Sequence, residues 1–168
     1  MSSIFTKIVN GEIPCYKIAE DENYLAFLDV NPNAKGHTLC IPKQEINKIF
    51  DMEEEHYLGL MKFARKVAKA LEKTVACKRI GVAVVGLEVP HVHVHLIPLQ
   101  EMDDMRFQRK TSLTPEEFQE LAKQIASNLS TRPHRKTPLK LSFSLQNLHL
   151  RVCTRSKSAT FLAAPLEQ

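Results

Sequence analysis

Residues 91–99 read HVHVHLIPL, placing three of the chain's seven histidines at every second position. Successive side chains of a strand point to opposite faces, so His91, His93 and His95 share one face and Val92, Val94 and Leu96 the other. Same-face neighbours then sit roughly 7 Å apart. The apolar face belongs against a helix. Three adjacent imidazoles make an improbable core, so the opposite face is expected to meet solvent, a ligand or a metal. Three chemistries fit that face. It is a polar strand surface, against which the strict alternation weighs. It is a set of zinc ligands, with a carboxylate such as the distant Asp29 or Glu88, or water, completing the shell. Or it is a nucleophilic site for phosphorus, in which one neutral imidazole attacks while its neighbours neutralise charge on the phosphate and leaving group.

The nucleophilic reading makes a specific demand. An imidazole with an ordinary pKa near ~6.5 is largely neutral at neutral pH, and it attacks through one nitrogen only if the other donates to a fixed acceptor. A backbone carbonyl can be that acceptor. A second, protonated histidine can then deliver a proton to a leaving amine.

Such a face needs elements to hold it. Ser3 can cap a short helix over residues 4–10, which Gly11 and Pro14 end. CYKIAE and YLAFLD flank the polar turn Asp21-Glu22-Asn23 as a hairpin, NPNAKG is a loop on composition, and HTLCIP is a third strand. A long helix is expected from Asp51, with Glu54 completing a capping box and Leu60, Ala64, Val67, Ala68, Leu71 and Val75 forming an apolar stripe. IGVAVVG and HVHVHLIPL supply two further strands. Thr114-Pro115-Glu116-Glu117 is a second capping box, with proline at the first helical position, opening a helix to about Leu129. The pattern is α+β: a five-stranded, mainly antiparallel sheet backed by one long helix, with a short N-terminal and a C-terminal helix.

The 168 residues are 43% hydrophobic, enough for one domain with a real core. That domain is expected over residues 1–130. Residues 131–168 hold seven Lys/Arg against the single Glu167, so the overall +4 charge resides in this segment and the body is slightly acidic. A disordered or atypical basic extension is expected there, and nucleic-acid binding by it is the lesser reading. The four cysteines are far apart without a C-x-x-C pair, which suits reduced thiols. No secretory pattern opens the chain, and IGVAVVGL falls far short of the roughly 20 residues of a membrane span. A cytoplasmic address without membrane contact is the expectation.

The run HVHVHLI matches the His-apolar-His-apolar-His-apolar-apolar signature of the histidine-triad (HIT) superfamily. The resemblance continues through SIFTKIVNGEIP, YLAFLDVNPNAKGHTLCIPK and the long helix, covering about residues 3–129. The chain resembles the branch of small histidine-triad nucleotide-binding proteins, which hydrolyse nucleoside phosphoramidates and related nucleotidyl esters without metal. That resemblance implies His93 as the nucleophile forming a covalent nucleotidyl-histidine. It implies His95 at the phosphate or leaving group, His91 holding the central ring and His37 in support. Asp29 matches a ribose-hydroxyl acceptor. Ile4, Phe5, Ile8, Ile13, Leu28, Val30 and Leu39 would wall the base pocket, although several of these apolar positions could equally be plain core. The resemblance further implies a purine nucleotide substrate, no cofactor, and a homodimer joined edge to edge through its sheets.

Four departures stand out. Relatives carry Gly-Gln-Ser or Gly-Gln-Thr before the triad, whereas this chain has Gly86-Leu87-Glu88-Val89-Pro90. Gly86 keeps the turn, but Glu88 replaces the hydroxyl and would repel a phosphate unless protonated or aimed at a cationic leaving group. An asparagine usual in relatives has no match in IGVAVVG. The N-terminal thiol pair that binds structural zinc in some members is Ser3 and Thr6 here, and the histidine following IPK is replaced in Gln44-Glu45, so structural zinc is not expected. Two rivals to a metal-independent nucleotidyl hydrolase or transferase stay open: a non-catalytic nucleotide-binding or scaffolding protein, and a metalloenzyme ligated by the histidine face.

Overall fold

Ser3 opens the first element as expected: its side chain accepts the Thr6 N–H, capping α1 (Ile4–Val9). In this computed structural model, which describes residues 2–108 and 110–129, the chain continues through β1 (Lys17–Glu20), β2 (Tyr24–Leu28) and β3 (Thr38–Pro42). Then come α2 (Glu54–Thr74), β4 (Arg79–Ala83), β5 (Val94–Leu99) and α3 (Pro115–Leu129). Short 3-10 turns cover Ile49–Asp51 and Met102–Met105. The strands form one sheet in the order β1-β2-β3-β5-β4 with every neighbouring pair antiparallel. This is the expected α+β fold.

The two faces of the sheet carry different cargo. Tyr24, Ala26, Leu28, Cys40, Val92, Val94 and Leu96 join Leu60, Phe63, Ala64, Val67 and Leu71 of α2 and Phe118, Leu121 and Ile125 of α3 in the larger core. On the other face Leu25, Phe27, Leu39 and Ile41 pack with Phe5 of α1. The second capping box forms: Glu117 N–H donates to Thr114 Oγ1 at 3.2 Å, and Thr114 N–H to the Glu117 carboxylate at 2.7 Å. No helix among the described residues is long and apolar enough to cross a membrane.

The structure corrects two local expectations. Asp51 does not cap the long helix. Residues 49–51 are a separate 3-10 turn, Met52 is extended and buried, and α2 starts only after Glu53, which makes no side-chain cap. Burying Met52 outweighs continuous helix. The histidine run is also only half strand: pairing of β3 with β5 begins at Cys40↔Val94, and β4 stops at Ala83, opposite His95. Residues 91–93 thus precede the ladder, tethered by Val92 N–H to Ile46 O at 2.7 Å. The alternation nevertheless persists through them. The expected basic segment 131–168, and with it the domain boundary, lies outside the described residues.

Candidate functional site

The histidine face is not open to solvent. His91 is 0% exposed and His93 and His95 7% each, so of the three expected neighbours of this face, solvent, a ligand or a metal, open solvent is not the one it meets. Phe5 covers part of it, its ring centroid 5.7 Å from His91 and 5.1 Å from His93 in edge-on contacts. Phe107 approaches His95 at 4.8 Å. Buried imidazoles must satisfy their nitrogens with protein groups, and those partners fix the tautomers.

At His93, Nδ1 lies 2.6 Å from the carbonyl oxygen of His91. A carbonyl only accepts, so Nδ1 carries the proton and Nε2 keeps its lone pair. At His91, Nε2 lies 2.8 Å from the Pro42 carbonyl and must donate, so Nδ1 accepts from the Ser3 hydroxyl at 2.8 Å. At His37, Nδ1 accepts the Asn33 N–H at 3.1 Å; Nε2 therefore holds the proton and donates to His95 Nδ1 at 3.0 Å. That leaves His95 with its proton on Nε2. Among the described residues, His93 Nε2 is a lone pair with no hydrogen-bond donor, beside a ring whose own Nε2–H is uncommitted to His37.

Electrostatics agree with these assignments. Burial, followed by the charge of Lys110 and His93 and opposed by Asp29, pushes the His37 pKa down to about 4. Burial, then His37, His93 and Lys110, pushes His95 down to about 3. Burial also lowers His91. The free site therefore holds neutral His37, His91 and His95 at neutral pH, which corrects the expectation of a standing protonated histidine. Asp29 Oδ2 lies 3.4 Å from His37 Nδ1, but that nitrogen is an acceptor on a neutral ring, so the contact is no ion pair. Asp29 Oδ1 accepts the Asn31 N–H at 2.9 Å, leaving Oδ2 with lone pairs for a hydroxyl.

The structure thus brings His37, His91, His93, His95, Asp29 and Phe5 together, with Leu39 paired to His95 on the same face. Ile8 packs beside Phe5, and Ile13 is half-buried. Leu28 is placed otherwise: it lies in the helix-side core, because Tyr24, Ala26 and Leu28 have the parity opposite to Leu25 and Phe27. Ile4 and Val30 are exposed, at 50% and 65%. Gly86, at φ +68°, and exposed Glu88 belong to the loop between β4 and His93, whose Val89 packs on the Phe5 cluster. Lys43, which follows β3, is paired with Glu20 at 2.8 Å.

Several neighbours of the site carry no sequence signal. Phe107 and Lys110 come from a polar connection without periodicity. The Lys110 ammonium donates to Asn31 O and Asn33 Oδ1, both at 3.0 Å. Asn33 reads only as loop composition, and Glu45 only as a departure from a pattern. As for metals, Asp29, His37 and His95 each offer a ligand atom within 4.8 Å of the others. Ser3, Thr6 and Glu45 bond to one another and Ser3 to His91, a hydroxyl-rich set that does not suit structural zinc.

The HIT-domain family model matches residues 10–102. The protein belongs to the HIT family. An uncharacterised HIT-like protein of Borreliella burgdorferi is 38% identical over 135 residues, spanning 75% of this chain and 97% of its own. The adenosine 5'-monophosphoramidase hnt1 of Schizosaccharomyces pombe is 37% identical over 133 residues, 77% of this chain and 99% of its own. The crystal structure of a Hit-like protein involved in cell-cycle regulation from Bartonella henselae superposes with a TM-score of 0.67 at 33% identity, covering 76% of this chain and 96% of that one. In this HIT protein the matched span holds all four site histidines and Asp29. Ser3, Phe5 and Thr6 precede it, and Phe107 and Lys110 follow it.

Proposed function

We propose that this HIT protein is a metal-independent nucleotidyl hydrolase or transferase that cleaves purine nucleoside phosphoramidates, or related nucleotidyl anhydrides, through a covalent nucleotidyl-His93. The observation that carries the reading is the 2.6 Å donation from His93 Nδ1 to His91 O, which leaves Nε2 as a lone pair on a fixed ring. The name of the phosphoramidase relative supports the substrate class. Asp29 Oδ2 takes a ribose hydroxyl, and the apolar surface of Phe5 and Leu39 takes the base.

His93 Nε2 attacks phosphorus, the phosphorus–nitrogen bond breaks, and the departing nitrogen keeps the bonding pair and needs a proton. As the anionic substrate binds, nearby negative charge raises the pKa of the His37–His95 pair and one proton enters it. His37 Nδ1 takes it beside Asp29 Oδ2, and the His37 Nε2 proton passes to His95 Nδ1, so that His95 carries a proton on both nitrogens. It gives the proton to the leaving amine. Neutral again, it takes a proton from the water that attacks the nucleotidyl-histidine, and His93 Nε2 leaves. His37 holds His95 in the tautomer that points Nε2–H outward.

Wild-type protein quenched during turnover of an AMP phosphoramidate should carry an acid-labile nucleotidyl group within residues 91–99, seen by peptide mass. His93→Ala should lower kcat by about 10⁴-fold or more while nucleotide affinity stays within a few fold. Full activity in His93→Ala would refute the reading. The Asp29–His37–His95 grouping supports one rival, a metal site. Activity that vanishes on exhaustive chelation and returns with zinc would establish that rival instead.

A further inference from the structure

The geometry points to Ser3, Thr6 and Glu45 as positioning residues for the nucleophile, linked as a hydrogen-bonded strut from the protein surface to His91. The inference rests on His93 being that nucleophile. Glu45 Oε2 accepts the Ser3 N–H at 2.9 Å and the Thr6 hydroxyl. Ser3 Oγ accepts the Thr6 N–H at 3.1 Å. Its own proton faces His91 Nδ1 at 2.8 Å, with Thr6 Oγ1 at 3.0 Å as a second acceptor. The His91 ring is then engaged at both nitrogens, through Ser3 on one side and the Pro42 carbonyl on the other. Its backbone carbonyl takes the His93 proton.

Capping α1 requires only that Ser3 accept an amide proton. The remaining bonds do something else. They join Ser3 to a fully buried imidazole 88 residues away, and to a carboxylate 42 residues away that reaches α1 from beyond β3. Hydrogen bonds from Thr6 and Ser3 hold the Glu45 carboxyl below its ordinary pKa, so this end stays anionic through the neutral range. Anchored there, the Thr6 hydroxyl has its proton committed outward, and the Ser3 proton is left to point inward.

Remove the Ser3 hydroxyl and His91 Nδ1 becomes a buried acceptor without a donor, which a ring flip or tautomer exchange relieves at lower cost than burial. Either change disturbs the Nε2–H bond to Pro42 and the backbone that presents the His91 carbonyl. His93 can then place its proton on Nε2, the attacking atom. The loss should fall on kcat and spare KM, because base and ribose contacts are untouched.

The experiment uses the full chain with Ser3→Ala, Ser3→Thr, Glu45→Ala and Glu45→Gln. Imidazole nitrogen spectra are recorded without substrate, and kcat and KM are measured with an AMP phosphoramidate. Wild type should show His91 as the Nε2–H and His93 as the Nδ1–H tautomer. Ser3→Ala should give mixed tautomers at both rings and a kcat lower by about tenfold, with KM within about twofold. Ser3→Thr should restore both readouts. Glu45→Ala, which leaves the Ser3 cap in place, should shift them in the same direction by about threefold in kcat, and Glu45→Gln less. Tautomers and kcat unchanged in Ser3→Ala and Glu45→Ala, or a kcat loss that Ser3→Thr does not recover, would overturn the inference. If the spectra shift as described but wild type turns over no nucleotide, the strut stands and the nucleophile reading falls.

Discussion

His37 and His95 show how burial selects a protonation state. Both rings are buried, His37 Nε2 is bonded to His95 Nδ1 at 3.0 Å, and both are neutral where an exposed histidine would be half-charged near pH 6.5. The sign of the consequence follows from linkage. Their folded-state pKa values, about 4 and about 3, lie below the unfolded value, so below pH 6.5 the unfolded chain binds protons that the folded chain refuses. Stability from this source is complete above about pH 6.5 and is lost progressively as pH falls toward 4 and then 3. Urea unfolding at about pH 7, 5.5 and 4.5 should therefore show a steep decline. His37→Gln, which removes one of these groups, should be less stable at pH 7 yet decline less steeply. Parallel declines in the two proteins would show that His37 titrates normally.

At the scale of elements, the site depends on how β3 is entered. Gly36 sits at φ +88°, just before His37, and a Cβ there would meet Val75 Cγ2 at 2.9 Å and Leu71 Cδ2 at 3.2 Å. The turn needs both the left-handed backbone and the missing side chain, since α2 packs directly against it. Gly36→Ala should cost roughly 2 kcal/mol and lower kcat further than that stability loss explains, because the same shift moves His37 off His95. Thr114→Ala is the contrast: loss of a helix cap on α3 should cost about 1 kcal/mol with kcat unchanged. Thermal melts and steady-state kinetics on both variants check the pair. Equal effects on kcat would mean that the β3 entry has no privileged connection to the chemistry.

At the scale of the whole molecule, the strand order leaves β4 at one edge of the sheet. Val82 on it is 51% exposed, and Val85 and Leu87 beyond it are 47% and 89% exposed. An apolar edge with unpaired backbone groups is a template for another strand. A second copy pairing there would close the edge symmetrically and join the two sheets. Sedimentation at about 10 μM should give twice the 19.1 kDa chain mass, and Val82→Arg should raise the dissociation constant by about tenfold or more. A wild-type monomer at that concentration would count against pairing through β4.

What the sequence determined by itself is what nearest neighbours and backbone periodicity control. The alternation in HVHVHLIPL separates Val92, Val94 and Leu96 from the imidazoles however the strand ends, because side-chain direction is a property of extended backbone. The α2 stripe, the Ser3 cap and the Thr114 box are equally local, and all three form. The tertiary structure decided what those imidazoles are. Burial, tautomer and pKa at these rings draw on groups far away in the chain: Ser3 at His91, His95 at His37, Phe107 against His95. It also decided against local logic where the core offered more, moving the start of α2 past Asp51 to bury Met52. Pattern in the chain sets which way a side chain points. Only packing sets what it meets there, and for a histidine the partner at each nitrogen decides which one is free to react.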